Sequence, residues 1–376
     1  MSNNIKILLQ VRSNSTRLPQ KCFLNIKNIP SILYLYKRIG MYAKYTTVLT
    51  TNDKSDAYLR YVLKKNKIKF YQGSSKNVLQ RFKSSTSNLS NDKLIIRLTG
   101  DNLLMDSNII KKCINCFLKQ NNEYSYINSK KNNIPYGISL ELFKVKLLRE
   151  TNIKSKYLKE HVTSHIKHKN IFNIFNVFKN KKMYQLRCTL DYIEDYNFLK
   201  KYLDQIPTRI NWKLICDKLK KYKINKKNKF FFEVKKTYEL TKSEHIKIFN
   251  LKNTFWKYGL ESQKEFFQKM YKKNDLHILF FNNSNLIGYN CLKILNSSYF
   301  KYILIDSFII DPDYQGKGIS DILLSKSLNE IINLNYITYL YANSNSLSLY
   351  KRFGFQKTKH KLFEKKNKRY LMRFIK

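Results

Sequence analysis

Three cations on one short loop, Arg12, Arg17 and Lys21, could together neutralise a triphosphate. They follow directly on an apolar run at residues 5–9, the place where an α/β sheet presents backbone amides and side chains to a nucleotide. Nucleotidyl transfer asks for little covalent help: neutralised phosphate charge, a divalent ion between phosphates and a nucleophile in line. Asp101 offers such an ion a hard oxygen ligand. It follows the run at 94–98 through Thr99-Gly100, at the carboxyl edge of the sheet. A second anion cradle, of another kind, stands at Gln315-Gly316-Lys317-Gly318-Ile319-Ser320, after the apolar run 302–310 and at the opening of a helix, so that successive N–H groups point at an anion. The chain reads as two enzymes in one.

Positioning these loops requires two different frameworks. Short apolar runs at 5–11, 46–51, 67–71 and 94–98 alternate with helical periodicity in Ile32-Leu33-Leu35-Tyr36-Ile39, Tyr58-Val62-Leu63 and Val78-Leu79-Phe82. That alternation predicts βαβ units and a mostly parallel sheet with helices on both faces. The polar, lysine-rich stretch 218–229 is the linker candidate and divides 1–225 from 226–376. Beyond it the rhythm changes. A strand at 230–234, helices at 244–256 and 263–271 and strands at 277–281, 286–295 and 302–310 precede a helix at 319–334, a strand at 336–342, a short helix at 346–353 and two closing strands.

The first loop, Gln10, Arg12, Ser15, Thr16, Arg17, Leu18, Pro19 and Lys21, resembles the Q-A-R-x-x-S-T-R-L-P-G-K of the spore-coat-polysaccharide (SpsF-like) cytidylyltransferases, relatives of enzymes that make CMP-activated sugar acids. Arg97, Thr99, Gly100 and Asp101 match their R-x-T-G-D, Glu160-His161-Val162-Thr163 their E-H-V-T, and Leu190-Asp191-Tyr192-Ile193-Glu194-Asp195 a late V-D-T-P-E-D. The resemblance spans about 4–205. It implies a Rossmann-like nucleotidyltransferase domain that holds Mg²⁺ with Asp101 and Asp191 and the phosphates of CTP with Arg12, Ser15, Arg17 and Lys21. A sugar-acid hydroxyl would attack the α-phosphate, and a homodimer is expected by inheritance. Two departures stand out: Gln20 replaces the family's Gly, and Ser139 stands where G-L-D-x-E has an aspartate. Asp191 also reads as a helix N-cap. His161, His165 and His168 lack the Glu of an HExxH pattern and read as ordinary polar or substrate-facing residues.

The second loop is preceded by Asp311-Pro312-Asp313-Tyr314 and followed by Asn343 and Leu349-Tyr350, then Gly354-Phe355. This set resembles the GNAT N-acetyltransferases, with Ser320 and Ser346 replacing small family residues. It covers about 230–376 and implies an α+β acyltransferase domain. Acetyl-CoA would lie along the strand ending at Phe308–Ile310, its pyrophosphate on Gln315, Gly316, Lys317, Gly318, Ile319 and Ser320, with Asn343 beyond. Tyr350 would be the acid to the leaving thiolate, and Asp306, through a water, the base.

With 376 residues, 43% hydrophobic and 14% aromatic, the chain can bury two cores. Its 72 Lys and Arg against 26 Asp and Glu give +46, which raises nucleic acid and anionic membranes as partners. The lysines, however, are spread along the whole length beside abundant Asn, Ile, Tyr and Phe, as an A/T-rich coding sequence would give, so the expected partners are small sugar and nucleotide substrates. No run approaches 18 apolar residues, and residues 1–4 lead into a strand without an apolar leader, so a cytoplasmic protein without membrane contact is expected. Six scattered cysteines read as reduced thiols, and Cys113-x-x-Cys116 as part of a core helix rather than a zinc site. The readings combine into an enzyme that forms a CMP-linked nonulosonic-type acid and N-acetylates an amino-sugar precursor for surface or flagellin glycan. Two readings compete: an acetyltransferase with a degenerate nucleotide-binding front half, and a nucleic-acid-binding protein resting on charge alone.

Overall fold

A computed structural model describes residues 4–120, 123–151, 162–163, 172, 182–298, 300–358, 363–364 and 367–375. The chain divides into two compact units, residues 1–14 with 21–224, and residues 15–20 with 225–376.

In the first unit the strands are β1 (Ile5–Gln10), β2 (Thr46–Thr51), β3 (Phe70–Gly73), β4 (Leu94–Thr99), β5 (Tyr124–Tyr126) and β6 (Glu141–Lys144), in the sheet order β3-β2-β1-β4-β6-β5. The first four are mutually parallel, and β6 runs antiparallel to both its neighbours. Ile7, Leu8 and Leu9 are all fully buried, which explains the unbroken apolar run of β1: helices cover both faces, so no residue can alternate toward water. Those helices are α1 (Ser31–Arg38), α2 (Ala57–Lys65), α3 (Val78–Ser85), α4 (Ser107–Gln120), α5 (Val145–Glu150), α6 (Ile193–Leu203) and α7 (Trp212–Cys216). The chain lays down β1, moves outward to β2 and β3, and returns on the other side of β1 as β4. A crevice must therefore open between the carboxyl ends of β1 and β4.

Two details differ from the sequence reading. The strand expected at 67–71 begins only at Phe70, because Lys67 takes a φ of 55° in the turn that closes α2. The front of the expected linker is not free chain. Leu219 is buried, and the Tyr222 hydroxyl donates to Asp195 Oδ1 at 2.6 Å, an anchor hidden among lysines. In α4, Cys113 is buried and Cys116 half-buried, as a core helix requires.

In the second unit come β7 (Phe230–Lys236), α8 (Lys242–Phe255), α9 (Leu260–Met270), β8 (Leu276–Asn282), β9 (Asn285–Asn296), β10 (Lys301–Ile310), α10 (Ile319–Leu334), β11 (Ile337–Ala342), α11 (Leu347–Arg352), β12 (Phe355–Lys357) and β13 (Tyr370–Phe374). Sheet order is β12-β13-β11-β10-β9-β8-β7, antiparallel except for the pair β10–β11. A capping box, readable as Thr241-x-x-Glu244, starts α8: Glu244 N donates to Thr241 Oγ1 at 3.3 Å and Thr241 N to Glu244 Oε2 at 2.8 Å. Tyr289, Cys291 and Ile309 pack with α8 and α9 on one face of the sheet. On the other face, Ser327 of α10 donates to Asn290 at 3.2 Å, and a Cβ on Gly288 would meet Leu323 at 3.4 Å.

Candidate active sites

The switch between β1 and β4 collects the first set of groups. Lys21 Nζ lies 3.0 Å from Asp101 Oδ2 and 3.0 Å from Asp191 Oδ1, so one ammonium bridges two carboxylates. Asp101 stands in the turn after β4, and the carbonyl of the same residue accepts from Leu190 N at 2.9 Å, which locks the segment carrying Asp191 to that turn. Burial works against the Asp101 charge, but Lys21 and the hydrogen bonds from Lys21 and Thr99 hold its carboxyl below the usual range. Burial likewise opposes the Lys21 charge, and the two carboxylates overcome it, raising its pKa.

Asp191 is not the helix cap. The side chain that reaches back from the first turn of α6 is Asp195, whose Oδ2 accepts from Asp191 N and Tyr192 N, each at 2.8 Å. Arg187 grips Asp195 through Nε at 2.7 Å and Nη2 at 3.0 Å, and its guanidinium also lies 3.5 Å from Asp191. Asp191 is thus held for something other than capping. A hard divalent ion bound mainly by substrate phosphates needs one or two protein carboxylates, and Asp101 and Asp191, drawn to one cation, fit that donor set. Among the described residues no group of three or more His, Cys, Asp or Glu could hold a metal ion.

Neighbouring motifs meet as well. Arg97 Nη1 lies 3.0 Å from each carboxylate oxygen of Glu141, its Nη2 donates to Gln10 Oε1 at 3.0 Å, and Thr163 donates to Glu141. Glu160, His161, His165 and His168 lie outside the described residues. Ser139 accepts from Asn102 at 3.3 Å, so the residue standing at the family's aspartate touches the turn after Asp101.

The loop after β1 is tied down by a residue that the sequence reading missed. Buried Asp56 accepts from Ser13 N at 2.7 Å, Ser13 Oγ at 2.5 Å, Thr50 Oγ1 at 2.8 Å, Thr51 N at 3.0 Å and Thr51 Oγ1 at 2.6 Å. Beside it a cleft of about 270 Å³ opens at the carboxyl ends of β1, β2 and β3, its walls including Arg12, Asn14, Thr51 and Lys76. Asp56→Ala is expected to raise the KM for nucleotide with kcat kept within a few-fold, and to cost about 2–4 kcal/mol by leaving buried donors unmet. Steady-state kinetics and thermal unfolding check both. Ser15, half-buried, and exposed Arg17 lie in the stretch 15–20 that groups with the second unit. Gln20 takes a φ of 59°, the left-handed region that the family's glycine adopts without strain.

In the second unit the sheet itself opens. Ladder pairs between parallel β10 and β11 end at Ile305–Leu340, although β10 continues to Ile310. Opposite, β9 slips register between Tyr289 and Cys291, and Ser307 takes a φ of 51°. The two strands therefore part at their carboxyl ends, and backbone from Asp306 onward is left for another partner. Phe308 and Ile310 belong to this stretch. The Phe308 ring meets the ring of Tyr350 edge-on, 6.0 Å between centroids, and Arg352 pins α11 to α10 through Asp321 at 2.9 Å.

The cradle follows. Gln315 Nε2 donates to Ile310 O at 3.3 Å, Lys317 Nζ donates to Asp313 O at 2.6 Å, and Gly316 and Gly318 take φ of 72° and 79°. Gly318 caps α10, so Ile319 and Ser320 form its first turn. Asn343 serves the backbone, since its side chain accepts from Ser346 N at 3.0 Å and starts the turn before α11. Burial raises the pKa of the Tyr350 hydroxyl.

An α/β unit with paired carboxylates at its switch point, followed by an α+β unit with a split parallel pair and a helix-borne anion cradle, defines a transferase of two parts. Residues 6–265 match the cytidylyltransferase family and residues 239–355 the acetyltransferase (GNAT) family. The chain belongs to the cytidylyltransferase family and carries a GNAT acetyltransferase domain. It is 32% identical over 209 residues to an uncharacterised protein of Methanocaldococcus jannaschii, covering 53% of this chain and 84% of that one. To the spore coat polysaccharide biosynthesis protein SpsF of Bacillus subtilis it is 30% identical over 211 residues, covering 53% and 85%. A cytidylyltransferase structure from Leptospira borgpetersenii shares the fold, with a TM-score of 0.52 at 24% identity over 57% of this chain and 92% of that one. Among the described residues no helix is long and apolar enough to cross a membrane.

Proposed function

We propose that the first unit joins CTP to a sugar acid of the nonulosonic type, releasing pyrophosphate, and that the second N-acetylates an amino-sugar precursor from acetyl-CoA, for a surface or flagellin glycan. The observation that carries the first half is the Lys21–Asp101–Asp191 triad at the β1–β4 switch. Lys21, with Arg12 and Arg17, would meet the phosphates. Asp101 and Asp191 would hold Mg²⁺, which supplies charge neutralisation at the phosphates when bound. A hydroxyl oxygen of the sugar acid forms the new bond to the α-phosphorus and gives up its proton to solvent as the bond to the bridging oxygen breaks and pyrophosphate leaves. Polysaccharide biosynthesis enters through the name of the Bacillus relative.

The test is pyrophosphate release from CTP with Mg²⁺ across a panel of nonulosonic acids and 3-deoxy-octulosonate. Release that depends on one sugar acid supports the reading. Silence across the panel, with acetyl transfer intact, would leave the front half a nucleotide-binding module. For the second unit, the position of Tyr350 against Phe308 at the strand gap supports its role as acid to the thiolate. Tyr350→Phe is expected to slow thiol release from acetyl-CoA by about 10²-fold with CTP turnover unaffected. An unchanged rate would remove Tyr350 from the chemistry.

A further inference from the structure

On the α8/α9 face of the strand gap, a buried ammonium and a half-buried carboxylate each carry a buried polar atom without a hydrogen bond. Lys252 of α8 is 1% exposed and its Nζ has no hydrogen-bond partner; Asp306 Oδ2, on the opened stretch of β10, is also buried without one. They do not pair with each other, although an ion pair would relieve both. The Lys252 ammonium instead lies under aromatic rings: 4.4 Å from the centroid of Phe266, 5.3 Å from Tyr271 and 6.0 Å from Trp256. Phe266 and Trp256 are themselves 43% and 36% exposed, so two of the residues beside the charge also meet solvent. Lys293 Nζ approaches the other contributor to this wall, lying 5.5 Å from the Tyr271 ring, while the Tyr271 hydroxyl is engaged with Ser307 Oγ at 2.7 Å.

A buried ammonium with unmet donors and a half-buried carboxylate with one buried, unmet oxygen each cost free energy, and a ligand that brings the complementary groups to both recovers it. We propose that this cluster binds the acetyl acceptor as a molecule carrying both a primary amine and an anionic group, the amine meeting Asp306 and the anion meeting Lys252, beside the rings of Phe266 and Trp256. This rests on the acetyltransferase reading of the second unit and names its substrate class. The amine reaches Asp306 as an ammonium and gives up its proton there. Its nitrogen then forms a bond to the acetyl carbonyl carbon and sheds a second proton as the carbon–sulfur bond breaks, and the leaving thiolate takes up one proton, so that amide, thiol and the proton left on Asp306 account for all. The rings suit the apolar face of a sugar. The anion is either the carboxylate of an amino sugar acid or the phosphate of a nucleotide-linked amino sugar.

Thiol release from acetyl-CoA by the intact protein tests the assignment with three amines: an amino sugar acid, an amino sugar linked to a nucleoside diphosphate, and glucosamine, which has no anion. Wild type should favour one of the charged amines, and which one identifies the source of the anion. Lys252→Met should cut kcat/KM for that amine roughly 10–100-fold, the worth of a charge-assisted hydrogen bond, toward the value for glucosamine. The KM for acetyl-CoA should stay unchanged. Lys252→Arg should restore most of the loss, because a cation suffices. The Met variant should melt no lower than wild type, since it removes a buried charge without a hydrogen bond and keeps an apolar chain against the same rings.

Burial lowers the Lys252 pKa to about 8, with Asp306 and Cys291 opposing and Lys293 adding to the fall. Preference for the charged amine should therefore weaken as pH rises through that value, where the cation is lost. Equal use of glucosamine and both charged amines by wild type would overturn the inference and leave acetyl transfer standing. An Arg variant as slow as Met would also overturn it, and no thiol release with any amine would remove the acetyltransferase reading beneath it.

Discussion

Asp101→Asn is expected to abolish CTP-dependent pyrophosphate release, lowering the rate by about 10³-fold or more, and to leave acetyl transfer at the wild-type rate. The substitution keeps the shape of the side chain and removes only charge. In the present structure Asp101 is one of two carboxylates on Lys21, and its pKa is held down by that ammonium after burial has pushed the other way. With Asn at this position, Lys21 retains Asp191 at 3.0 Å, so the turn should survive while the paired-carboxylate set is lost. Thermal unfolding of the variant separates the two effects: a melting point near wild type with no pyrophosphate assigns the loss to chemistry. Simultaneous loss of acetyl transfer would argue against two independent activities, the division proposed near residue 225.

A second large effect should come from Gly137→Ala, a substitution that removes no charge. Gly137 has a φ of 112°, and a Cβ built there would lie 2.5 Å from Thr189 N and 2.8 Å from the carbonyl carbon of Cys188. Both neighbours are backbone and cannot swing aside. The same strap is held by Tyr136 N donating to Leu186 O at 2.9 Å and Cys188 N to Tyr136 O at 2.7 Å. It leads directly into Asp191, so pushing residues 188–189 away moves a carboxylate of the site. The strained φ and the overpacking together should cost about 3–5 kcal/mol and reduce CTP turnover at least tenfold. Thermal unfolding, with pyrophosphate release measured well below the midpoint, checks both. An alanine variant of wild-type stability and activity would show that the strap can relax.

Asp101 was legible in the sequence because it follows a strand through a Thr-Gly turn, and Lys21 because it is a cation on the loop after a strand; Asp191 entered only with the late family motif, its place before a helix reading equally as a cap. Asp56 was not legible. It shares the segment Asn52-Asp53-Lys54-Ser55-Asp56 with Asp53, and nothing in that order says which aspartate turns inward; its donors come from Ser13 as well as Thr50 and Thr51. Asp195 lay inside the late family motif, but only the geometry divides the labour, with Asp195 capping α6 and Asp191 left to face Lys21. Lys252 was concealed by composition. In a chain with 72 basic residues one more lysine on a helix carries no signal, although its spacing four after Ile248 and one after Leu251 places it on the buried face of α8. The break in the sheet was equally unreadable. The apolar run 302–310 looks continuous because β9 pairs with β10 through to Ile310, and only the partner on the other side falls away.

That break divides the second unit's evolutionary freedom. Asp306 stands opposite Cys291, on the face where α8 and α9 pack, whereas Gly288, opposite Ile310, turns toward Leu323 of α10. Exchanges along α8 and α9 can thus retune what is recognised on one face without disturbing the glycine-bearing turn before α10. A lineage could drift from one small-molecule partner to another while the other half of the reaction stayed fixed.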